Sequence, residues 1–330
     1  MKIVQVMATN GGMGGLEKHT LDLCYGLAKH HEVHLIADQS YKPKLSVNIT
    51  LHAVDFSRSR WNPFLIYELV KKIKQLQPDI LHVQASKAAS ILAPWLKQFS
   101  CKKIVTVHGM KSNLKPFMAF DDIIAVSGKI KAKFPVSQSV HVIWNGVAQA
   151  VDQIKDTVKC ENQPTIALAI GRLETVKGFH ILIDAWKSIK AELWIVGDGT
   201  QYQTLKTQID QLNLNDRVKL LGFRSDISDL FTQVDCFVIS SLKEGGPITL
   251  AEALLNRTPV LSTDVGMVPD FIDDRFICEP NSIERMVGLI SSELKPKVDM
   301  LPLFEEAFIK ADQNLKFESM LQQTENLYQN

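Results

Sequence analysis

The chain has 330 residues, of which 45% are hydrophobic and 22% charged, with a formal net charge of +1. This composition excludes a disordered or fibrous protein, and the length suits two α/β domains better than one core. Five cysteines without a Cys-x-x-Cys pair exclude a disulfide scaffold and a zinc site, and no run of 18 apolar residues offers a membrane span.

Lys2–Ala8, a short Gln-interrupted apolar run behind a single lysine, reads as a first strand and not as a signal peptide. β-branched runs then predict strands at 32–37, 49–54, 79–84, 103–107, 123–126 and 140–143. Helical stretches lie between them at 15–30, 61–76 and 87–99. Several of these strands are continuously apolar, as expected when helices cover both faces of a parallel sheet. The rhythm lapses over the polar stretch 148–163, which marks a domain boundary. A second series follows, with strands at 165–170, 192–196, 218–221, 236–240, 259–263 and 275–278 and helices at 177–189, 201–212 and 248–255. A final polar segment, 304–328, reads as helical with a thin apolar stripe. The domains are therefore expected at 1–148 and 164–311, the terminal helix, about 312–330, packing back on the first. Two doubly wound parallel sheets of this kind bind ligands beyond the carboxyl ends of their strands, in a cleft between the domains.

The near-zero net charge conceals an asymmetry. Residues 1–145 carry 19 Lys/Arg against 9 Asp/Glu (+10), and the remainder 18 against 27 (−9). The basic half suits an anionic surface or acceptor, or is simply a solvated face. Lys129-Ile130-Lys131-Ala132-Lys133-Phe134 combines three cations with apolar residues for shallow membrane contact.

After the first strand, Gly11-Gly12-Met13-Gly14-Gly15 opens a helix, and backbone N–H groups there can meet an anion. Asp38 at the end of the second strand would suit a dinucleotide fold. The spacing refuses it: from Gly12, Gly14 fits Gly-x-Gly-x-x-Gly but position 17 is Glu, and the phosphate-loop pattern fails as well. The loop is either a structural turn or an anion- or sugar-facing one. In the second half, Gly171-Arg172 follows a strand and Lys177-Gly178 opens the next helix, putting two cations on one strand–helix loop where a diphosphate could sit. The richest segment is Glu244-Gly245-Gly246-Pro247-Ile248-Thr249-Leu250-Ala251-Glu252. Pro247 fits the first helical position, with Gly245 and Gly246 making a tight, bare approach to it, and the helix start, with Ile248 and Thr249, offers free N–H groups and the positive end of a dipole to a ligand. Glu244 sits before the helix, and Glu252 lies inside it, about 7 Å beyond the helix start at Pro247 at ~1.5 Å per residue. That suits anchors for different parts of one elongated ligand, not a cooperating acid/base pair.

Taken with Pro78-Asp79-Ile80-Leu81-His82-Val83, Val107-His108-Gly109, Asn145-Gly146-Val147, Val196-Gly197-Asp198-Gly199, Leu221-Gly222-Phe223 and Pro259-Val260…Gly266…Pro269, this run resembles the Glu-x7-Glu pattern of retaining glycosyltransferases of the GT-B fold, in particular the large GT4 family. The resemblance implies an enzyme that moves a sugar from a nucleoside diphosphate sugar to a carbohydrate or lipid-linked glycan, in surface polysaccharide or lipopolysaccharide synthesis. It implies that Arg172 and Lys177 hold the diphosphate, with Gly14 and Gly15 approaching it from across the cleft. Glu252 would bind the ribose, Glu244 a hydroxyl of the transferred sugar, and His108 would face the sugar near the reacting carbon. Gln84, Trp144, Arg257 and Met267 depart from the family pattern. With no acidic strand-end cluster, neither a metal nor another cofactor is expected. A cytoplasmic location, peripheral contact with an anionic membrane and no nucleic-acid partner complete the reading. A sugar-nucleotide epimerase and a non-catalytic sugar-nucleotide-binding protein are the alternatives.

Overall fold

The computed structural model describes residues 1–148 and 164–330. The stretch 148–163 assigned to the domain boundary therefore lies, apart from Ala148, outside the described residues, as does Cys160. The chain divides into two compact units, Met1–Asn145 with Glu318–Asn330, and Gly146–Phe317.

The first unit is a seven-stranded sheet built from β1 (Lys2–Met7), β2 (Glu32–Ala37), β3 (Ile49–Ala53), β4 (Ile80–Gln84), β5 (Lys102–Val107), β6 (Asp122–Ala125) and β7 (Val140–Val142). Its order is β3-β2-β1-β4-β5-β6-β7, parallel throughout. β1 lies between β2 and β4, with Val4 opposite both His34 and Leu81. Covered on both sides, β1 and β4 are buried almost along their length, which explains their unbroken apolar runs. Helix α1 (Gly15–Leu27) follows β1. In α2 (Pro63–Leu76), Asn62 Oδ1 accepts the Leu65 N–H at 3.0 Å, and Leu65, Leu69 and Ile73, four residues apart, form the buried stripe. α3 (Ala85–Leu92) tightens into a 3-10 turn over Ala93–Gln98, where a continuous helix is predicted over 87–99; Pro94, lacking an N–H, falls in that turn. The short α4 (Gly128–Lys131) is capped by Ser127. It corrects the expectation for Lys129–Phe134: Ile130 and Phe134 are 1% and 7% exposed and pack into the core, so this segment offers no apolar contact to a membrane.

The second unit has β8 (Ile166–Ile170), β9 (Glu192–Val196), β10 (Val218–Gly222), β11 (Cys236–Ile239), β12 (Val260–Thr263) and β13 (Ile277–Cys278), in the parallel order β10-β9-β8-β11-β12-β13. Its helices include α5 (Phe179–Ala185), α6 (Tyr202–Gln211), α7 (Ile227–Gln233), α8 (Ile248–Leu255), α9 (Val268–Phe271) and α10 (Ile283–Glu293). The predicted helix 177–189 is shorter because Gly178 caps it in the left-handed conformation and the chain tightens to a 3-10 turn at Trp186. The predicted 304–328 helix is two, Glu305–Asn314 and Phe317–Gln329. At the break, Val147 donates to Leu315 O (2.9 Å) and accepts from Phe317 N–H (3.0 Å). The second of these helices runs into the first unit, where Lys102 Nζ donates to its Leu327 carbonyl at 2.6 Å. The described cysteines are free, three of them buried. No helix among the described residues is long and apolar enough to cross a membrane.

Candidate functional site

In an open parallel sheet, the loops leaving neighbouring strands at their carboxyl ends emerge side by side. β8 and β11 are such neighbours, which brings Gly171–Gly178 against Ser240–Pro247 although some 67 residues separate them in sequence. Leu242 N–H donates to Val176 O at 2.8 Å, and Ser240 Oγ to Lys177 O at 2.9 Å. Gly178 has φ +68°, and a Cβ there would stand 2.0 Å from the Ser240 carbonyl oxygen, so only glycine permits this approach.

Against this backbone Lys177 Nζ donates to Glu244 Oε1 at 2.6 Å, and Ser241 Oγ donates to the same oxygen at 2.9 Å. The Lys177 and Glu244 side chains are 18% and 17% exposed. A partly buried charge-assisted contact of this kind contributes about 1.5–3 kcal/mol. The two cations predicted on one loop are thus in different situations. Lys177 is neutralised by Glu244, whereas Arg172 is exposed and its guanidinium engages no described residue. Ser241 escaped the sequence reading because a serine before a Glu-Gly-Gly run carries no signal until the loop folds.

α8 has eight residues and begins at Ile248; Pro247 (φ −64°, ψ 114°) is its cap. The expectation that Pro247 occupies the first helical position is corrected: its ψ is extended, so the first free N–H groups belong to Ile248 and Thr249, both half-buried. Glu244 consequently lies in the loop, and helical rise does not measure its separation from Glu252, which is half-buried in the second turn of α8. Gly245 is buried beneath the loop that follows β12. A Cβ on Gly266 (φ +52°) would stand 2.4 Å from Gly245 O and 3.3 Å from the Glu244 carbonyl carbon.

In the first unit, the turn after β1 is held by Tyr41, whose hydroxyl donates to Gly12 O at 3.0 Å and pairs with Thr9 Oγ1 at 2.8 Å. Gly14 caps α1, whose first residue is Gly15. The Gly14 N–H donates to Glu17 Oε2 at 2.9 Å, so a carboxylate from this chain already satisfies part of the anion-facing turn. Asp38, the residue a dinucleotide fold would use, instead accepts from Ser40 N–H (3.0 Å) and Ser40 Oγ (2.6 Å). His108, just past β5, is half-buried. Its ring meets that of His19 edge-on with centroids 4.8 Å apart, and its Nε2 bonds Gln84 Oε1 at 2.7 Å. Burial, then the neighbouring His19, His82 and Lys111, hold the His108 imidazole well below its ordinary range and therefore neutral near pH 7. His19 lies one turn into α1, where its sequence position alone reads as core. Among the described residues no three His, Cys, Asp or Glu side chains converge as metal ligands.

Two family profiles divide the chain. "Glycosyltransferase Family 4" matches residues 13–150 and "Glycosyl transferases group 1" residues 151–307. The N-acetyl-alpha-D-glucosaminyl L-malate synthase of Bacillus anthracis is 24% identical over 340 aligned positions, covering 90% of this chain and 89% of that protein. The lipopolysaccharide core biosynthesis glycosyltransferase LpsE of Rhizobium meliloti is 28% identical, covering 57% and 56%. The crystal structure of Anabaena HepE in complex with UDP superposes with a TM-score of 0.80 at 22% identity and full coverage of both chains. With two parallel-sheet units, the conjunction of both profiles along the chain and these relatives, the protein belongs to the family 4, group 1 glycosyltransferases of the GT-B fold.

Proposed function

We propose that this glycosyltransferase takes a sugar from a nucleoside diphosphate sugar and passes it, with retention at the anomeric carbon, to a carbohydrate or lipid-linked glycan of a surface polysaccharide or lipopolysaccharide. The observation that carries the reading is the convergence of Lys177, Glu244 and the start of α8 beyond the carboxyl ends of β8 and β11 in the second sheet. As the anomeric bond loosens, negative charge gathers on the diphosphate. Arg172, Lys177 and the Ile248 and Thr249 N–H groups would stabilise it, with Gly245 and Gly246 keeping the approach bare. Glu252 would hold the ribose, Glu244 a sugar hydroxyl, and His108 and the Gly14–Gly15 turn would serve the sugar and diphosphate from the first unit. These groups would offset the diphosphate charge without a metal. The test is product formation from UDP-, GDP- and ADP-sugars, with glycan acceptors and small hydroxy acids such as malate, in buffer containing EDTA. Transfer with α-anomer formed from an α-linked donor supports the proposal; epimerised donor, stabilisation by ligand without turnover, or a strict divalent-cation requirement would each overturn its corresponding part.

The membrane contact we propose belongs to α2 and the turn after α3. With Leu65, Leu69 and Ile73 turned inward, α2 presents Phe64, Tyr67, Lys71 and Lys74 outward. Trp61, Phe64 and Tyr67 are 74%, 75% and 67% exposed. Between α2 and Trp95 runs a groove of about 540 Å³ lined by Ile66, Tyr67, Val70, Lys71, Lys74 and Trp95. Residues 55–98 carry seven Lys/Arg against three Asp/Glu, a surplus of four that suits an anionic bilayer. Aromatic rings favour the headgroup level, and each cation near an anionic surface contributes about 1 kcal/mol. Sedimentation with vesicles containing phosphatidylglycerol should show binding that weakens with salt and is lost in Trp61→Ser/Phe64→Ser/Tyr67→Ser. Equal binding to neutral vesicles, none to anionic ones, or a dimer that covers this face would overturn it.

A further inference from the structure

His108 does not stand alone; its bond to Gln84 is the outer end of a buried polar chain. Gln84 Nε2 donates to Gln5 Oε1 at 2.9 Å, and Gln5 Nε2 donates to the Tyr328 hydroxyl oxygen at 3.1 Å. Tyr328 Oη lies 2.6 Å from His82 Nδ1, and His82 Nε2 lies 2.7 Å from Thr106 Oγ1. Gln5, His82 and Thr106 are fully buried, Gln84 is 1% exposed and Tyr328 4%. Given these amide orientations, His108 Nε2 donates to Gln84, Gln84 to Gln5 and Gln5 to Tyr328, each of the three links a donor meeting an acceptor. His82 closes the inner end: its Nδ1 lies 3.2 Å from Gln5 Nε2 as well as beside the Tyr328 hydroxyl, and its Nε2 lies 3.3 Å from Gln84 Nε2 as well as beside Thr106 Oγ1. The chain therefore runs in one direction from His108 to Tyr328. Reversing one link alone would set donor against donor or acceptor against acceptor in a place water does not reach, so the direction holds as a unit.

We propose that this chain fixes His108 as its Nε2–H tautomer, with Gln84 as the positioning residue and the Tyr328 hydroxyl, on the C-terminal helix, as its remote anchor. The consequence rests on the reading that His108 faces the transferred sugar. Its Nδ1 has no partner among the described residues and, unlike His19 Nδ1, is not sealed from solvent. In this tautomer it offers a lone pair, and His108 accepts a hydrogen bond from a sugar hydroxyl and does not donate one. The backbone supports the assignment of Gln84. The next residue, Ala85, has φ +62°, a left-handed conformation costly for a residue with a Cβ. Such strain persists where the surroundings over-determine a geometry, and here it falls where β4 turns into α3 immediately beyond the positioning amide.

The test is the tautomer itself, read from long-range 1H–15N correlations of histidine-labelled protein, with the His108 signals assigned by their loss in His108→Gln. The wild type should show Nε2–H with an unprotonated Nδ1. Gln84→Leu should give a mixture of tautomers. Tyr328→Phe, which touches His108 nowhere, should do the same, with kcat lowered about threefold or more and donor KM little changed. Should Tyr328→Phe fail to fold, Gln84→Leu and Gln5→Leu carry the test. Nδ1–H in the wild type, or an unaltered Nε2–H form in the folded Gln84 and Gln5 or Tyr328 variants, would overturn the proposal. Full transfer activity in His108→Ala, with the wild-type tautomer as expected, would instead remove His108 from the sugar site and leave the chain standing.

Discussion

Replacing Gly266 by alanine tests whether the backbone beneath Glu244 is as tightly determined as the loop geometry implies. Two costs add. An alanine at φ +52° occupies the left-handed region, about 1 kcal/mol. Its Cβ would also stand 2.4 Å from Gly245 O and 2.8 Å from the Gly245 carbonyl carbon, whereas real contacts stay above about 3.0 Å. The Glu244–Gly245 backbone or the Gly266 loop must therefore yield by roughly 0.6 Å, an overpacking cost of about 1–3 kcal/mol. The sum is about 2–4 kcal/mol, and at roughly 2–4 °C per kcal/mol for a unit of this size Tm should fall by about 10 °C. Gly222→Ala supplies the control. Gly222 has φ +68°, yet an added Cβ would meet nothing within 4 Å, so only the conformational cost of about 1 kcal/mol applies. Differential scanning calorimetry compares the two stabilities, and calorimetric titration with nucleoside diphosphate and its sugar compares binding. Gly266→Ala should lose donor affinity because the displaced backbone carries Glu244 and its contact with Lys177. Equal Tm losses in the two variants, or a destabilised Gly266→Ala that binds donor as the wild type does, would refute the reasoning.

Arg172→Ala should weaken nucleoside diphosphate binding by about tenfold, the effect of losing one exposed charge-assisted contact, while Tm stays within a degree or two; unchanged affinity on titration would remove Arg172 from the site. Lys177→Ala should weaken binding too, but it also leaves Glu244 with Ser241 alone and no cation, so a fall in Tm should accompany it, checked in the same calorimeter. Glu252→Ala should reduce affinity for the free nucleotide, whereas Glu244→Ala should spare the free nucleotide and impair use of the sugar donor; the reverse pattern means the roles are misassigned. Acid should destabilise the first unit ahead of general carboxylate titration. Burial lowers His19 to about 4 and His82 to about 3, from an ordinary value near 6.5. Below pH ~6.5 the unfolded chain takes up protons that the folded chain excludes, so stability present above that pH drains away as pH falls, by ~3 kcal/mol for each histidine at pH 4. Tm should drop steeply between pH 6.5 and 4, with a shallower slope in His19→Gln; identical slopes would refute this.

Sequence by itself determined the two sheets. β-branched apolar runs separated by helical periodicity specify parallel strands covered on both faces, and the thirteen strands among the described residues stand where those runs lie. Segments whose signal is spread thin escaped it. α7 has only seven residues, the buried stripe of α10 is just Met286, Leu289 and Ile290, and the break at Leu315 lies where the backbone bonds distant Val147. Glycine spacing and strand-end placement likewise nominated Arg172, Lys177, Glu244 and Glu252, and the family resemblance added His108, because the chemistry of a residue and its place on a strand end are local facts. What a charge or an imidazole meets is not local. That Glu244 neutralises Lys177, that Glu17 satisfies the Gly14 N–H, and that Gln5, Gln84 and Tyr328 govern His108 follow from strand order and from a C-terminal helix returning to the first sheet. The same holds for exposed apolar side chains. Ile130 and Phe134 have the composition for surface contact but lie in the core, while Trp61, Phe64 and Tyr67 are left outside because Leu65, Leu69 and Ile73 take the buried stripe of α2. An apolar side chain goes wherever the fold has room to bury it, and only the tertiary structure decides which ones are left over.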